Sequence, residues 1–296
     1  MGFGLEVIGN RARLSAAEGF GGAGGGWARG RRRMWFGTFN RLSGRIAPES
    51  GQDGEPRLRG REFALERLGF AADEKQAAVL DSTARRGILN CTRQWGKSTL
   101  LAAKAVHRAW TEPGSLVLVA SPSVRQSAEF LRKAAGFLRR LGVKRKGDGD
   151  NAASLALPNG SRIVGLPGTE ATVRGFSAVS LLLIDEAARV QDAVYKSLRP
   201  MLAVGNGDLW LMSTPWGQRG FFYDAWTNGG DLWERHSAPA TECARISAGF
   251  LEEERRELGK TWFAQEYLCE FVDNGTGWFG RGVVEEALSG DDPLWL

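Results

Sequence analysis

The chain has 296 residues, of which 43% are hydrophobic and 25% are charged, a composition typical of a soluble globular protein. Its 3 cysteines and 2 histidines lie far apart in the sequence, which argues against a disulfide framework and a zinc site and suits a reducing cytosol. There is no apolar run near the roughly 18 residues of a membrane span, and the N-terminus does not resemble a signal peptide, so no membrane partner is expected.

The charge is concentrated at the N-terminus. Residues 1–61 hold 11 arginines, no lysine and 5 acidic residues, a net charge of +6, whereas residues 62–296 have a net charge of −1. The same segment contains 15 of the 40 glycines and no sustained apolar period, so we expect a disordered tail of low complexity. It is interpreted as an arm that binds nucleic acid, as a plain tail, or as the product of translation from an upstream start codon that is not the native one.

Beyond this tail, helical and strand patterns alternate. Apolar residues between positions 63 and 70 predict a first helical stretch, and Asp73 can cap a second helix that ends near residue 80. Further helices are predicted near 97–110, 124–141 and 192–202, and strands at 87–91, 115–120, 154–157, 162–166, 179–184 and 207–213. Apolar strands that alternate with helices predict an α/β fold with a mostly parallel central sheet flanked by helices.

The segment after the first strand matches a phosphate-binding loop. Residues 91–99 spell CTRQWGKST and run directly into a helix, which is the context of a Walker A element. In such a loop Lys97 reaches the terminal phosphates and Ser98 binds Mg²⁺. The first glycine of the standard pattern is replaced by Cys91, so an ordinary strand, turn and helix remains the alternative.

The strand at 179–184 ends in two carboxylates. Asp185 follows the apolar run at the end of a parallel strand, where ligands of such sheets bind, and is expected to hold Mg²⁺ directly or through water. Glu186 is expected to orient and activate the attacking water. The alternative is a strand stopped by exposed acidic residues.

A third strand ends in small hydroxyl side chains. Ser213 and Thr214, followed by Pro215, could hydrogen-bond a γ-phosphate or the catalytic water and so report the state of the nucleotide. The alternative is a plain turn.

Together, these motifs resemble the ATPase domain of the large terminase subunit, the DNA-packaging motor of tailed bacteriophages. Four blocks between residues 63 and 271 account for the resemblance: the deviant Walker A at 91–99, a helicase-like segment at 121–127, VRGF at 173–176 leading into the acidic strand, and STPWGQRGFFY at 213–223. The family implies a P-loop fold of the RecA-like class.

The resemblance also implies roles for single residues. Gln76 resembles a glutamine that reads adenine, with a plain polar helix residue as its alternative. Arg93 resembles a Walker A arginine that contacts phosphates, with a solvent-facing loop arginine as its alternative. Arg174 resembles an arginine finger that acts on a neighbouring subunit's site, with a structural ion pair as its alternative. The other residues of the loop expected at the nucleotide are Gln94, Trp95, Gly96 and Thr99. Arg125 and Gln126 are interpreted as packing or coupling residues.

The family further implies a domain organisation. Residues 62–273 are expected to form the ATPase domain, and residues 274–296 a short stub in which a nuclease domain is missing, so DNA cutting is not predicted. The implied substrate and cofactor are ATP and Mg²⁺, and the implied partners are double-stranded phage DNA, the portal protein and the small terminase subunit.

A working motor of this family would act as a homo-oligomeric ring at the portal vertex of the procapsid, in the host cytoplasm. Two alternatives remain. One is a truncated prophage remnant that binds nucleotide without acting as a motor, and the other is a helicase-like ATPase, for which no second RecA-like domain is left in the chain.

Overall fold

The computed structural model describes residues 58–143, 146–148, 151–167 and 175–273, all within the unit Ile46–Leu296. Its helices are α1 Gly60–Glu66, α2 Glu74–Asp81, α3 Lys97–Thr111, α4 Val124–Arg140, α5 Asp192–Leu198, α6 Gly220–Thr227 and α7 Ala248–Tyr267, the last kinked at Gly259. Its strands are β1 Arg86–Cys91, β2 Leu116–Ser121, β3 Lys146–Asp148, β4 Asn151–Ala156, β5 Arg162–Pro167, β6 Leu181–Asp185, β7 Asp208–Ser213 and β8 Glu234–Ala238.

The strands form one eight-stranded sheet in the order β3-β4-β5-β2-β6-β7-β1-β8. The pairs from β5 to β8 are parallel, whereas β4 lies antiparallel to β5, and β3 to β4. β1 therefore lies two strands from β6, with β7 between them. This order brings the carboxyl ends of all three strands to one edge of the sheet, where ligands of open parallel sheets bind.

Helices cover both faces of the sheet, because side chains alternate along each strand. Leu89, for example, packs with α1–α4 on one face, whereas the neighbouring Ile88 packs with α5 and α6 on the other. The central strands are buried on both faces, which explains their nearly continuous apolar sequence. The predicted fold class is confirmed, while the expected N-terminal tail lies outside the described residues. In the part that the structure describes, no helix has the length and apolarity to cross a membrane.

Some predicted elements differ from the structure. The helix expected at 192–202 is α5 followed by a 3-10 turn, Arg199–Leu202, which includes Pro200. The strand expected from 179 begins at Leu181. Sequence patterns did not predict β8, because the edge strand ERHSA is mostly polar, alternates partly buried and exposed residues, and has no apolar run.

A buried lysine ties α3 to α2. Lys104 is 7% exposed, and its ammonium donates to the carbonyl oxygens of Val79 at 2.9 Å and Ser82 at 3.3 Å and lies 4.3 Å from the ring centre of Trp210. Burial, followed by the charge of Arg108, lowers the pKa of Lys104 to about 8, although nearby carboxylates oppose the shift. The lysine thus anchors the helix at the cost of a desolvated charge.

The contribution of Lys104 to the stability of the fold should rise with pH between about 8 and 10. In this window Lys104 has lost its proton in the folded protein, but a lysine of the unfolded chain keeps one until about pH 10.4. At this position the unfolded state then binds more protons, so raising the pH increases the contribution of Lys104 to folding, by about 3 kcal/mol over the whole window, whereas the buried thiols of Cys91 and Cys269, whose pKa values are raised, act in the opposite direction. Thermal unfolding of wild type and Lys104→Met between pH 7.5 and 10 checks this. The stability of Lys104→Met relative to wild type should fall as the pH rises, Lys260→Met at an exposed position is the control, and parallel pH profiles of wild type and Lys104→Met would contradict the assignment.

Candidate active site

The loop between β1 and α3 has the backbone of a phosphate cradle. Gly96 caps α3 with φ +96°, in the left-handed region that favours glycine, and Gln94 also has a positive φ of +62°. A Cβ at Gly96 would lie 3.3 Å from Nε2 of Gln76. The loop opens into a helix of 15 residues, whose N-terminal N–H groups and dipole favour an anion.

Lys97 lies at the centre of the site. Its ammonium lies 2.9 Å from Oε1 of Glu186 and 3.4 Å from Oγ1 of Thr214, and its side chain is 10% exposed. Burial opposes the charge, but the neighbouring Cys91 sulfur and the carboxylates of Glu186 and Asp185 outweigh it, so the pKa of Lys97 is raised. The lysine is therefore a cation at neutral pH.

Asp185 ends β6 and faces the start of α3. Its Oδ2 accepts a hydrogen bond of 3.0 Å from the Ser98 hydroxyl, and its Oδ1 accepts one of 2.9 Å from the backbone N–H of Glu186. Burial, reinforced by the negative charge of Glu186, raises the pKa of Asp185. A cation bound at the Asp185 carboxylate would offset both effects.

Glu186 has a strained backbone. Its φ of +52° and ψ of +44° lie in the left-handed region, which is uncommon for a residue with a side chain. Such strain costs about 1–3 kcal/mol and is typical of functional sites. A 3-10 turn, Ala187–Arg189, follows, and the N–H of Arg189 donates to the Glu186 carbonyl at 2.8 Å.

The oxygen ligands at this edge fit Mg²⁺. The ion prefers hard oxygen donors and usually binds one or two protein groups together with substrate phosphates. Ser98 and Asp185 bring a hydroxyl and a carboxylate within 3.0 Å of each other. Among the described residues, no group of three or more His, Cys, Asp or Glu is placed to hold a metal.

The residues at the end of β7, Ser213, Thr214 and Pro215, lie beside Lys97. Thr214 donates from Oγ1 to the carbonyl oxygen of Cys91 at 3.1 Å and accepts from Lys97, so it joins β7 to the phosphate loop. Ser213 is fully buried, and its hydroxyl has no hydrogen-bond partner within the part of the chain that the structure describes. Pro215 is also buried. An unpaired buried hydroxyl is costly, which supports a role in contacting a ligand or water.

Gln76 is placed against the loop rather than in open space. The side chain is 1% exposed, accepts from the Asp73 N–H at 3.1 Å, and donates from Nε2 to the Trp95 carbonyl at 2.9 Å. Arg245 donates to the same carbonyl and lies 3.7 Å from the Asp73 carboxylate. The Trp95 side chain is 2% exposed in the core, so only its backbone faces the loop.

Arg93 is held by an acidic residue that local sequence patterns did not reveal. Its Nε lies 2.6 Å from Oε2 of Glu266 in α7, and the other oxygen of this carboxylate lies 3.5 Å from Arg189. Glu266 is buried, whereas the Arg93 side chain is 60% exposed. Arg189 also stacks on the ring of Trp216, 3.9 Å from its centre. Arg93 therefore has an anionic partner that a phosphate would have to replace.

The structure brings most of the predicted residues to one edge. Gln94 is exposed on the loop, and Thr99 is half-buried in the first turn of α3. Arg174 lies outside the described residues, so its predicted role as an arginine finger stays a prediction. Sequence reasoning missed Glu266, Arg189 and Arg245, which come from distant parts of the chain and follow no fixed spacing.

A parallel sheet that places a glycine-containing phosphate loop beside a strand ending in two carboxylates defines the class of P-loop nucleoside-triphosphatase folds. Within this class, the model of the family "Terminase large subunit, T4likevirus-type, N-terminal" matches residues 88–282. The chain therefore belongs to this terminase family, as the sequence motifs predicted.

Relatives agree with this assignment. The large terminase subunit of Thermus phage G20c is 26% identical over 264 residues, which cover 75% of this chain and 53% of that protein. The large terminase ATPase domain of Thermus phage P74-26 is matched over its whole length with a TM-score of 0.65 at 24% identity, covering 73% of this chain. The large terminase of bacteriophage D6E in complex with ADP matches with a TM-score of 0.59 at 14% identity, covering 68% of this chain and 54% of that one. The two structural likenesses show the fold, and the chain spans about half the length of the curated relative.

Proposed function

We propose that the chain hydrolyses ATP with Mg²⁺ as the ATPase domain of a DNA-packaging motor. The observation that carries the proposal is the convergence of the loop lysine and two carboxylates: Lys97 lies 2.9 Å from Glu186, and Ser98 lies 3.0 Å from Asp185. These residue types in this arrangement suit phosphoryl transfer to water, in which positioning and charge stabilisation provide most of the catalysis. The ADP in the complex of the D6E large terminase, a protein of the same fold, supports a nucleotide as the ligand.

Nucleotide binding would use the loop and its cations. Backbone N–H groups between residues 94 and 99 cradle the phosphates, and the Lys97 ammonium offsets their charge. Arg93 would exchange Glu266 for a phosphate oxygen, which its exposed position allows. Ser98 and Asp185 would hold Mg²⁺, which supplies charge neutralisation to the terminal phosphates. Gln76 keeps the loop in shape through the Trp95 carbonyl and lies next to Gly96, where it could also contact adenine.

Glu186 would act as the general base. In the ion pair with Lys97, its carboxylate is neutralised by the same cation that phosphate oxygens require. A bound phosphate competes for Lys97, so it frees the carboxylate to orient water and accept its proton. Thr214 contacts Lys97 and Cys91 and would sense this exchange from β7.

The wider role rests on the family. In a large terminase subunit, hydrolysis by this domain would drive double-stranded phage DNA into a procapsid, at the portal vertex in the host cytoplasm. Portal protein and small terminase subunit are the proposed partners, and a homo-oligomeric ring would allow Arg174 to act in trans. The net charge of −1 over residues 62–296 suits transient contact with the DNA backbone better than tight binding, whose affinity depends on many lysine and arginine contacts.

Steady-state phosphate production by the full chain tests the proposal, with Mg²⁺ or with EDTA and with or without duplex DNA. We expect hydrolysis that requires Mg²⁺, falls by about 10²- to 10⁴-fold in Glu186→Gln, and rises severalfold with DNA. Hydrolysis without stimulation would support the ATPase but not the motor. Binding of Mg·ATP without any hydrolysis, in the presence of DNA, would favour the remnant, and a failure to bind nucleotide would overturn the proposal.

A further inference from the structure

A cavity opens beside the acidic end of β6. Its volume is about 270 Å³, several times the roughly 30 Å³ share of one water molecule. One wall consists of the proposed catalytic and Mg²⁺-binding groups, Ser98, Asp185 and Glu186, and the other belongs to α4. The residues of the α4 wall are Arg125, Gln126, Glu129 and Phe130. The cavity is therefore adjacent to the place where the γ-phosphate would be cleaved.

The α4 wall offers unused hydrogen-bond donors. Arg125 is exposed and makes no hydrogen bond or ion pair with another residue that the structure describes. In Gln126, Oε1 accepts from the Ser123 hydroxyl at 2.9 Å, while Nε2 has no partner among the described residues. Glu129, by contrast, is engaged by Nε of Arg132 at 3.0 Å. The free donors thus belong to two consecutive residues in the first turn of a 17-residue helix, whose dipole also favours an anion.

Hydrolysis would release an anion into this cavity. The water oxygen forms a bond to the γ-phosphorus, the bond from that phosphorus to the bridging oxygen breaks, and its electron pair stays with ADP. Glu186 takes the water proton, and the product is inorganic phosphate. The walls already carry the carboxylates of Asp185, Glu186 and Glu129, which repel a phosphate dianion. A path out of the site therefore needs hydrogen-bond donors that offset these carboxylates.

We propose that Arg125 and Gln126 form a binding subsite for inorganic phosphate, which receives the cleaved phosphate before it leaves the protein. The guanidinium offers paired N–H groups that match phosphate oxygens, and the Gln126 amide offers two more donors. The subsite rests on the ATPase function proposed above, but it assigns a ligand to residues outside the loop and the acidic strand.

Phosphorus NMR tests the subsite without requiring turnover. The line width of inorganic phosphate is followed while the full chain, saturated with Mg·ADP, is titrated into it. We expect saturable broadening for wild type and an affinity at least tenfold weaker for Arg125→Ala, since contacts to a charged partner are the stronger ones. Gln126→Ala should weaken binding less, and Arg125→Lys should recover part of the affinity.

Arg139→Ala is the matched control. Arg139 is also an exposed arginine of α4, but it lies 14 residues further along, about 21 Å by helical rise, and does not line the cavity. Its variant should behave as wild type. Equal phosphate affinity in wild type and Arg125→Ala would overturn the subsite while leaving the ATPase proposal intact.

Two further measurements test whether the variants still bind nucleotide and whether Arg125 contacts DNA instead of phosphate. Mg·ADP affinity, measured first by calorimetry, should be the same in all variants, and a wild-type chain that binds no Mg·ADP would overturn both proposals. A duplex DNA titration separates the two sources of phosphate. If Arg125→Ala weakens duplex binding but not phosphate binding, the arginine contacts the DNA backbone and the subsite is wrong.

Discussion

Replacing Glu186 by glutamine should lower the rate of ATP hydrolysis by about 10²- to 10⁴-fold, the range associated with a general base. Glutamine keeps the shape of the side chain but cannot accept a proton from water. The strained backbone at this position, with φ +52°, aims the carboxylate at the site, and the substitution leaves that geometry unchanged. The loss should therefore appear in the rate constant of the chemical step, measured under single-turnover conditions, and in kcat where this step limits turnover.

The same variant should bind ATP at least as tightly as wild type. In the wild-type protein Lys97 is shared with Glu186 at 2.9 Å, so an incoming phosphate must compete for the ammonium. Glutamine carries no charge and competes less. Rising affinity together with falling kcat distinguishes a base from a residue that only supports the fold.

Glu252→Gln provides the control. Glu252 is an exposed acid of α7 paired with Arg256, and its loss should change neither rate nor affinity. Hydrolysis by Glu186→Gln within threefold of wild type would show that another group activates the water.

Much of the site could be predicted because it depends on local sequence. Strands β1, β6 and β7 are buried on both faces, so their apolar runs and their polar ends are visible in the sequence. Once the sheet is known to be parallel, Cys91, Asp185 and Ser213 must end at a common edge. The loop itself is marked by Gly96 and Lys97 at the start of α3.

The remaining features depend on tertiary contacts between distant residues. Glu266 follows Arg93 by 173 positions, and no periodic pattern of α7 marks one of its many glutamates as buried. Arg189 reaches both Glu266 and the ring of Trp216, a pairing that depends on where α7 packs. Gln76 was interpreted as an adenine contact, whereas its amide is also part of a helix cap and of the loop support. Both roles of Gln76 are apparent only when α2 is packed against the loop between β1 and α3.

Replacing Lys97 by methionine should weaken ATP binding by about 100-fold and remove detectable hydrolysis. The side chain keeps its length and apolar stem but loses the one ammonium that lies between Glu186 and Thr214. Charge-assisted contacts to phosphate are worth about 1.5–3 kcal/mol each, so the loss of one already reaches this range. Calorimetry with Mg·ATP and phosphate release measure the two effects.

Lys104→Met is the matched control, because it makes the same substitution in the same helix. Both lysines belong to α3 and both are buried, but Lys104 contacts carbonyl oxygens of α2 and its cap and the ring of Trp210, away from the loop. Its variant should keep nucleotide affinity while changing the pH dependence of stability. Equal losses of ATP binding in the two variants would mean that the charge of α3, rather than the position of Lys97, determines affinity.

The stability of the Lys97 variant tests whether the ion pair itself matters. Loss of Lys97 leaves the Glu186 carboxylate, 20% exposed, without its cation, and an unpaired charge of this kind destabilises the fold. Lys97→Met should therefore lower the unfolding temperature, whereas Lys97→Met combined with Glu186→Gln should regain part of the loss. A double-mutant cycle isolates this coupling. A coupling energy near zero would contradict the proposal that a bound phosphate replaces Glu186 as the partner of Lys97, because there would then be no ion pair to break.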